Sequence, residues 1–155
     1  MIHRIRAAVL IFNQDSLLLV KHADPISGFT WWIPPGGGLE DGDESILDCA
    51  VREVYEESGL HVTPSRPVYF REFQERKAGV RHFEIYFTAE SCRGEPSTEN
   101  IAGNGPDEEF IKEVSWISRR EISNLTVFPE YFKDGLWKDY QKGFPGIIFL
   151  GSFQD

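Results

Sequence analysis

A chain of 155 residues with 41 % hydrophobic and 14 % aromatic content holds enough apolar material to offset its conformational entropy, which excludes intrinsic disorder and points to one packed domain over residues 1–155. Sixteen Lys and Arg against 25 Asp and Glu leave a net charge of -9, which opposes docking onto a nucleic-acid polymer or an anionic membrane, because binding polyanions draws on a positive surface field. A phosphate-bearing small-molecule ligand would therefore need a cation to mediate. The apolar runs Ala7 to Phe12 and Leu17 to Val20 are far shorter than the roughly 20 residues that span a bilayer, and the start has no long apolar signal-peptide stretch, so a soluble, cytoplasmic protein is expected. Cys49 and Cys92 lack a second Cys or a His at metal or redox spacing and are expected to be inert.

Taken in chain order, Arg4 to Phe12 and Ser16 to Lys21 are rich in β-branched and aliphatic residues around Asn13-Gln14-Asp15, predicting a hairpin or two adjacent strands. Pro34-Pro35-Gly36-Gly37-Gly38 is read as a loop, since two positions lack an N–H and three are conformationally loose. A helix is predicted from Ser45 to Ser58, with Ser45 as N-cap, Leu47, Ala50, Val51 and Val54 as its apolar stripe, and Gly59 as the stop. Pro67 to Gln74 and Arg81 to Ala89 read as strands joined by a turn at Gly79. Arg93 to Asp107 is a long polar loop; Lys112 to Ile117 is a strand, and Arg119 to Asn124 and Glu130 to Tyr140 are helices. The aromatic tail, Phe128, Tyr131, Phe132, Trp137, Phe144 and Phe149, is read as packing or as a contact in a possible homodimer.

On the predicted helix Glu53, Glu56 and Glu57 share an arc of about 100°. Glu53 and Glu57 form a like-charge i,i+4 pair that costs a few tenths of a kcal/mol unless a cation joins them, and only Arg52 compensates nearby. Carboxylates clustered without Cys or His favour Mg²⁺, Mn²⁺ or Ca²⁺, and Mg²⁺ commonly combines a few carboxylates with water and substrate phosphate oxygens. No Gly-x-Ser-x-Gly or other nucleophile motif is present.

Gly38, Glu44, Arg52-Glu53-Val54, Glu56-Glu57 and Gly59-Leu60 match every specified position of the Nudix signature, so the chain resembles the Nudix (MutT-like) hydrolases. That resemblance implies an α/β/α sandwich with a mixed β-sheet. It also implies hydrolysis, with Mg²⁺ or Mn²⁺, of a diphosphate bond in a nucleoside diphosphate linked to another group: a nucleoside triphosphate, nucleotide sugar, ADP-ribose or dinucleoside polyphosphate. By the same resemblance Glu53 and Glu57 look like central metal ligands, and Glu56 like a further ligand or the water-activating group. Arg52 looks like an orienter of the carboxylates, and the Gly38 backbone faces the metal. Glu44 looks like a supporting acceptor, although its position beside a helix N-terminus explains an acid equally well.

The general base is open between Glu56 and the loop acids Asp107, Glu108 and Glu109. Lys21, His22, Arg71 and Arg81 are candidates for distal phosphates. Trp31 and Trp32 are candidates for base stacking, with one of the two facing the core if strand alternation holds. The proline that marks many ADP-ribose hydrolases is absent from the corresponding region, Phe73-Gln74-Glu75-Arg76. The competing reading is a non-catalytic Nudix-fold nucleotide sensor, against which the complete set of box glutamates counts.

Overall fold

The computed structural model describes residues 1–103, 105 and 107–155. In chain order the strands and helices are β1 (Ile2–Leu10), β2 (Phe12–Asn13), β3 (Ser16–Ala23), β4 (Thr30–Ile33), β5 (Gly36–Gly38), α1 (Ile46–Ser58), β6 (His61–Glu75), β7 (Val80–Arg93), α2 (Asp107–Phe110), β8 (Ile111–Ser118), α3 (Arg119–Ile122), α4 (Gly135–Gln141) and β9 (Ile148–Gln154). One sheet has the order β5-β1-β7-β6-β9, with β1 parallel to β7 and antiparallel to β5, and β9 parallel to β6. The other places β3 between β4 and β8, with β2 folded back on the start of β3.

Alternation along β1 explains the layers. Ala7 and Val9 point toward α1 and pack with Cys49, Ala50, Val54 and Phe87. Ala8 and Leu10 point the other way, into a cluster built on Phe132, Leu136 and Trp137 from the C-terminal helical segment. Helices thus cover both faces of a mixed β layer, the expected α/β/α sandwich. Asp139 on α4 accepts from the hydroxyls of both Tyr69 and Tyr131, which ties that helix to β6. Among the described residues no helix is long and apolar enough to cross a membrane.

Several expectations change. The two N-terminal strands do not pair as a hairpin; β1 and β3 lie in different sheets, and only the two residues of β2 fold back on β3. Gly36–Gly38 is not a loop but a short strand whose backbone pairs with Arg6, Ala7 and Ala8. The strand expected from Pro67 begins at His61, because bulges around Pro64 and Pro67 absorb the missing donors. The helix expected over Glu130 to Tyr140 splits into a 3-10 turn, Glu130–Lys133, and α4. A Cβ at Gly135 would lie 2.3 Å from the Tyr131 ring, so the break is also a close approach of backbone to an aromatic. The tail adds a strand, β9, that alternation alone did not reveal.

Candidate active site

Helix α1 starts where the sequence places it. The Ser45 hydroxyl accepts the Asp48 N–H at 3.1 Å, and Gly59, at φ 73°, closes the last turn by donating to the Tyr55 carbonyl. Its buried side keeps only half of the aliphatic stripe expected, Ala50 and Val54. Leu47 and Val51 are 40 % and 38 % exposed, whereas Glu53 and Glu57 are only 5 % and 2 % exposed and share the inner face with Cys49, Ala50 and Val54. The helix carries two carboxylates, one turn apart, into the protein.

Strand β5 receives them. The Gly36 N–H donates to Glu57 Oε1 at 2.9 Å. A Cβ at Gly37 would lie 2.3 Å from the Glu53 carboxyl carbon, and one at Gly36 would lie 2.4 Å from the Ala7 carbonyl oxygen. The glycines are needed here for close approach of backbone to carboxylate and to β1.

Arg52 organises the rim. Its Nε and Nη2 reach the two oxygens of Asp43 at 2.9 and 2.8 Å, a bidentate pair. Nη1 donates to Glu53 Oε1 at 2.9 Å and to Glu56 Oε2 at 3.4 Å, and Nη2 to the Gly38 carbonyl at 3.0 Å. Arg52, expected to orient the carboxylates, thus contacts Glu53 and Glu56, and the Gly38 carbonyl, expected to face a metal, faces this guanidinium. The supporting carboxylate is Asp43 rather than Glu44, which is exposed and makes no hydrogen bond or ion pair among the described residues. Asp43 was missed because it sits in the acidic run Glu40 to Glu44; the signal for it was its place two residues ahead of the N-cap.

The electrostatics separate these acids. Burial pushes the Glu53 carboxyl up to about 7, with Arg52 opposing, and raises Glu57 well above the usual carboxylate range despite its bond from Gly36. The Arg52 fork holds Asp43 down at about 2. Burial also raises the Cys49 thiol to about 11, which suits the inert role expected of it. Glu53 Oε2 is buried with no hydrogen-bond partner among the described residues. No three acidic, His or Cys groups among those residues form a ready-made cation cage. An orphaned hard oxygen beside a second buried carboxylate still fits a cation that completes its shell with water and phosphate oxygens, as Mg²⁺ does.

Of the loop acids, Asp107, at the start of α2, is close enough for its charge to raise Glu53, Glu57 and His22. Glu108 instead accepts the Gly103 N–H at 3.2 Å. Trp31 stands among His22, Phe29 and Phe110, with ring centroids 5.4, 5.7 and 6.4 Å away, and is partly open. Trp32, the second stacking candidate, is instead 8 % exposed and built into the core, with the Lys21 ammonium 5.9 Å from its ring centroid. A narrow cleft opens beside β5, lined by Arg6, Ala8, Ile33, Gly36, Gly37, Arg71, Glu84 and Tyr86, so of the phosphate candidates Arg71 lies next to the glycine strand. Arg81 is exposed and points its guanidinium to Gln74, 3.4 Å away.

The NUDIX domain family matches residues 2–136 of this chain. An uncharacterized Nudix hydrolase of Bacillus subtilis, YvcI, is 29 % identical over 98 % of the chain and 86 % of that protein. The zebrafish m7GpppN-mRNA hydrolase NUDT17 is 41 % identical over 59 residues, which are 37 % of this chain but only 19 % of that protein. The solution structure of the E. coli ORF135 protein superposes with a TM-score of 0.69 at 20 % identity, covering 94 % of this chain and 95 % of the other. The chain belongs to the NUDIX family. The box Gly38 to Leu60, on which the resemblance rested, lies within the matched residues.

Proposed function

We propose that the chain cleaves a diphosphate bond in a nucleoside diphosphate linked to a further group, using Mg²⁺ or Mn²⁺ held by Glu53 and Glu57, with Glu56 as a further ligand. The observation that carries this reading is the pair of buried glutamates one turn apart, one with an orphaned oxygen, pressed against the Gly36–Gly37 backbone. When bound, the cation neutralises the diphosphate and the charge that develops on the leaving phosphate.

The chain's own residues do the rest. Gly36 fixes the orientation of Glu57 through its N–H, and Arg52, itself anchored by Asp43, fixes Glu53 and Glu56. Water attacks phosphorus in line, the bond to the leaving phosphate oxygen breaks, and the water proton passes to a carboxylate. Asp107 is the better-placed acceptor for that proton. Glu56 is tied to Arg52, whereas Asp107 makes no hydrogen bond among the described residues and its charge reaches both buried glutamates. Trp31, open beside His22, supplies the stacking surface for a base. The test is a panel of nucleoside triphosphates, dinucleoside polyphosphates, ADP-ribose and nucleotide sugars, scored by nucleotide release with Mg²⁺ and with excess EDTA. Metal-dependent release from at least one of these is expected; turnover that survives EDTA contradicts the reading.

A further inference from the structure

The cleft beside β5 contains a buried cation that the chemistry above does not use. Arg71 is 8 % exposed, and its Nε donates to Glu84, which also accepts the Tyr86 hydroxyl at 2.8 Å and has Arg6 Nε 3.5 Å away. One carboxylate therefore serves two guanidiniums, leaving the floor with one uncompensated positive charge. The Arg71 guanidinium also interacts with the Tyr86 hydroxyl, and the rings of Phe73 and Phe153, 5.8 and 5.6 Å from its Cζ, restrict the plane of the fork. Two guanidiniums sharing one carboxylate in a largely buried cleft are costly unless a ligand supplies further negative charge.

Size decides which ligand. The cavity volume is about 30 Å³, where roughly 10 to 15 Å³ admits one water and a benzene-sized ring takes about 150 Å³. It holds a pair of oxygens and not a nucleobase. The floor offers donors and net positive charge, which suits a phosphate rather than a base edge that mixes donors and acceptors. Because Gly36 and Gly37 line this cleft and also touch Glu57 and Glu53, the two sites are separated only by the glycine backbone.

We propose that Arg71, supported by Arg6 and Glu84, binds a phosphate adjacent to the diphosphate held at the glutamates, so that the substrate carries at least three consecutive phosphates. This rests on the reading of Glu53 and Glu57 given above. It ranks nucleoside triphosphates and dinucleoside polyphosphates above ADP-ribose and nucleotide sugars, which carry two.

The test is calorimetric binding of inorganic tripolyphosphate and of pyrophosphate, both with Mg²⁺, to the wild-type chain and to Arg71→Gln, Arg71→Lys and Arg6→Gln, beside the rate panel. Wild type should bind tripolyphosphate more tightly than pyrophosphate. Arg71→Gln should weaken tripolyphosphate roughly tenfold or more while leaving pyrophosphate unchanged, and Arg71→Lys should recover part of the loss. If Arg71→Gln fails to fold, the half-buried Arg6→Gln carries the test and should show a smaller loss confined to tripolyphosphate. Equal binding of the two anions by wild type, or equal losses for both in the variants, overturns the proposal. Arg71-dependent tripolyphosphate binding without hydrolysis of any nucleotide would uphold this site and sink the catalytic reading instead.

Discussion

Replacing Glu53 by Gln isolates the cost of burying an ionisable group at the heart of the site. In the metal-free protein its carboxyl is raised from an ordinary 4.5 to about 7, chiefly by burial. A raised carboxyl pKa means that the folded state holds its proton more tightly than the unfolded state. Its contribution is therefore most favourable below pH 4.5 and is lost as pH rises to 7. At about 1.36 kcal/mol per pH unit, the loss between pH 4 and pH 8 is about 3 kcal/mol. Glu53→Gln removes that dependence while keeping an oxygen to accept from Arg52. Denaturant titrations in EDTA across this range should show wild type falling about 3 kcal/mol further than the variant. The comparison of slopes matters more than the absolute values, because the Gln amide is itself a buried donor without a partner. Saturating Mg²⁺ should flatten the wild-type curve, since a cation favours the ionised carboxylate. Parallel curves for the two proteins in EDTA would refute the burial-raised state of the Glu53 carboxyl.

Other outcomes follow from the same geometry. Gly37→Ala puts a Cβ 2.3 Å from the Glu53 carboxyl, so it should cost about 1 to 3 kcal/mol of stability and at least about a hundredfold in kcat, as a melt and a rate assay would show. Trp31→Ala should raise KM roughly tenfold if a base stacks there, whereas Trp32→Ala should lower stability by about 3 to 5 kcal/mol through loss of core packing; steady-state kinetics and denaturant titration separate the two. Asp43→Asn should lower kcat by releasing Arg52. Because Arg52 holds Asp43 at about 2, the wild-type advantage should be full above pH 4 and fade as pH falls through 2, which an acid titration of both proteins can follow.

Helix α1 was legible because its signals are local: the Ser45 cap, the Gly59 stop and the spacing of the box glutamates all lie within one stretch of chain. Its inward face was misread because aliphatic side chains normally outbid carboxylates for burial. Here Glu53 and Glu57 go inward, while Leu47 and Val51 stay about 40 % and 38 % exposed. A helix projection alone cannot show that reversal, which depends on the glycine backbone of β5 lying against the acids. The separation of β1 and β3 into two sheets, the pairing of Gly36–Gly38 with β1 and the docking of β9 on β6 are long-range pairings, on which local pattern is silent. The same limit hid the Arg71–Glu84–Tyr86 group: alternation places each residue on a face, but only strand register brings β6 and β7 together there.

The most direct test of the central claim is the thermal stability and turnover of Glu57→Gln with and without Mg²⁺. Glu57 is 2 % exposed and its carboxyl is driven well above the ordinary range by burial, while a Gln at this position can still accept the Gly36 N–H. In EDTA the variant should therefore melt at or above the wild-type temperature. With saturating Mg²⁺ wild type should gain stability as RT ln(1 + [Mg²⁺]/Kd) and the variant should gain less, narrowing or reversing the order. Turnover should fall by several orders of magnitude. A variant markedly less stable than wild type in EDTA, with an equal gain on adding Mg²⁺, would show that Glu57 is structural and would contradict the account.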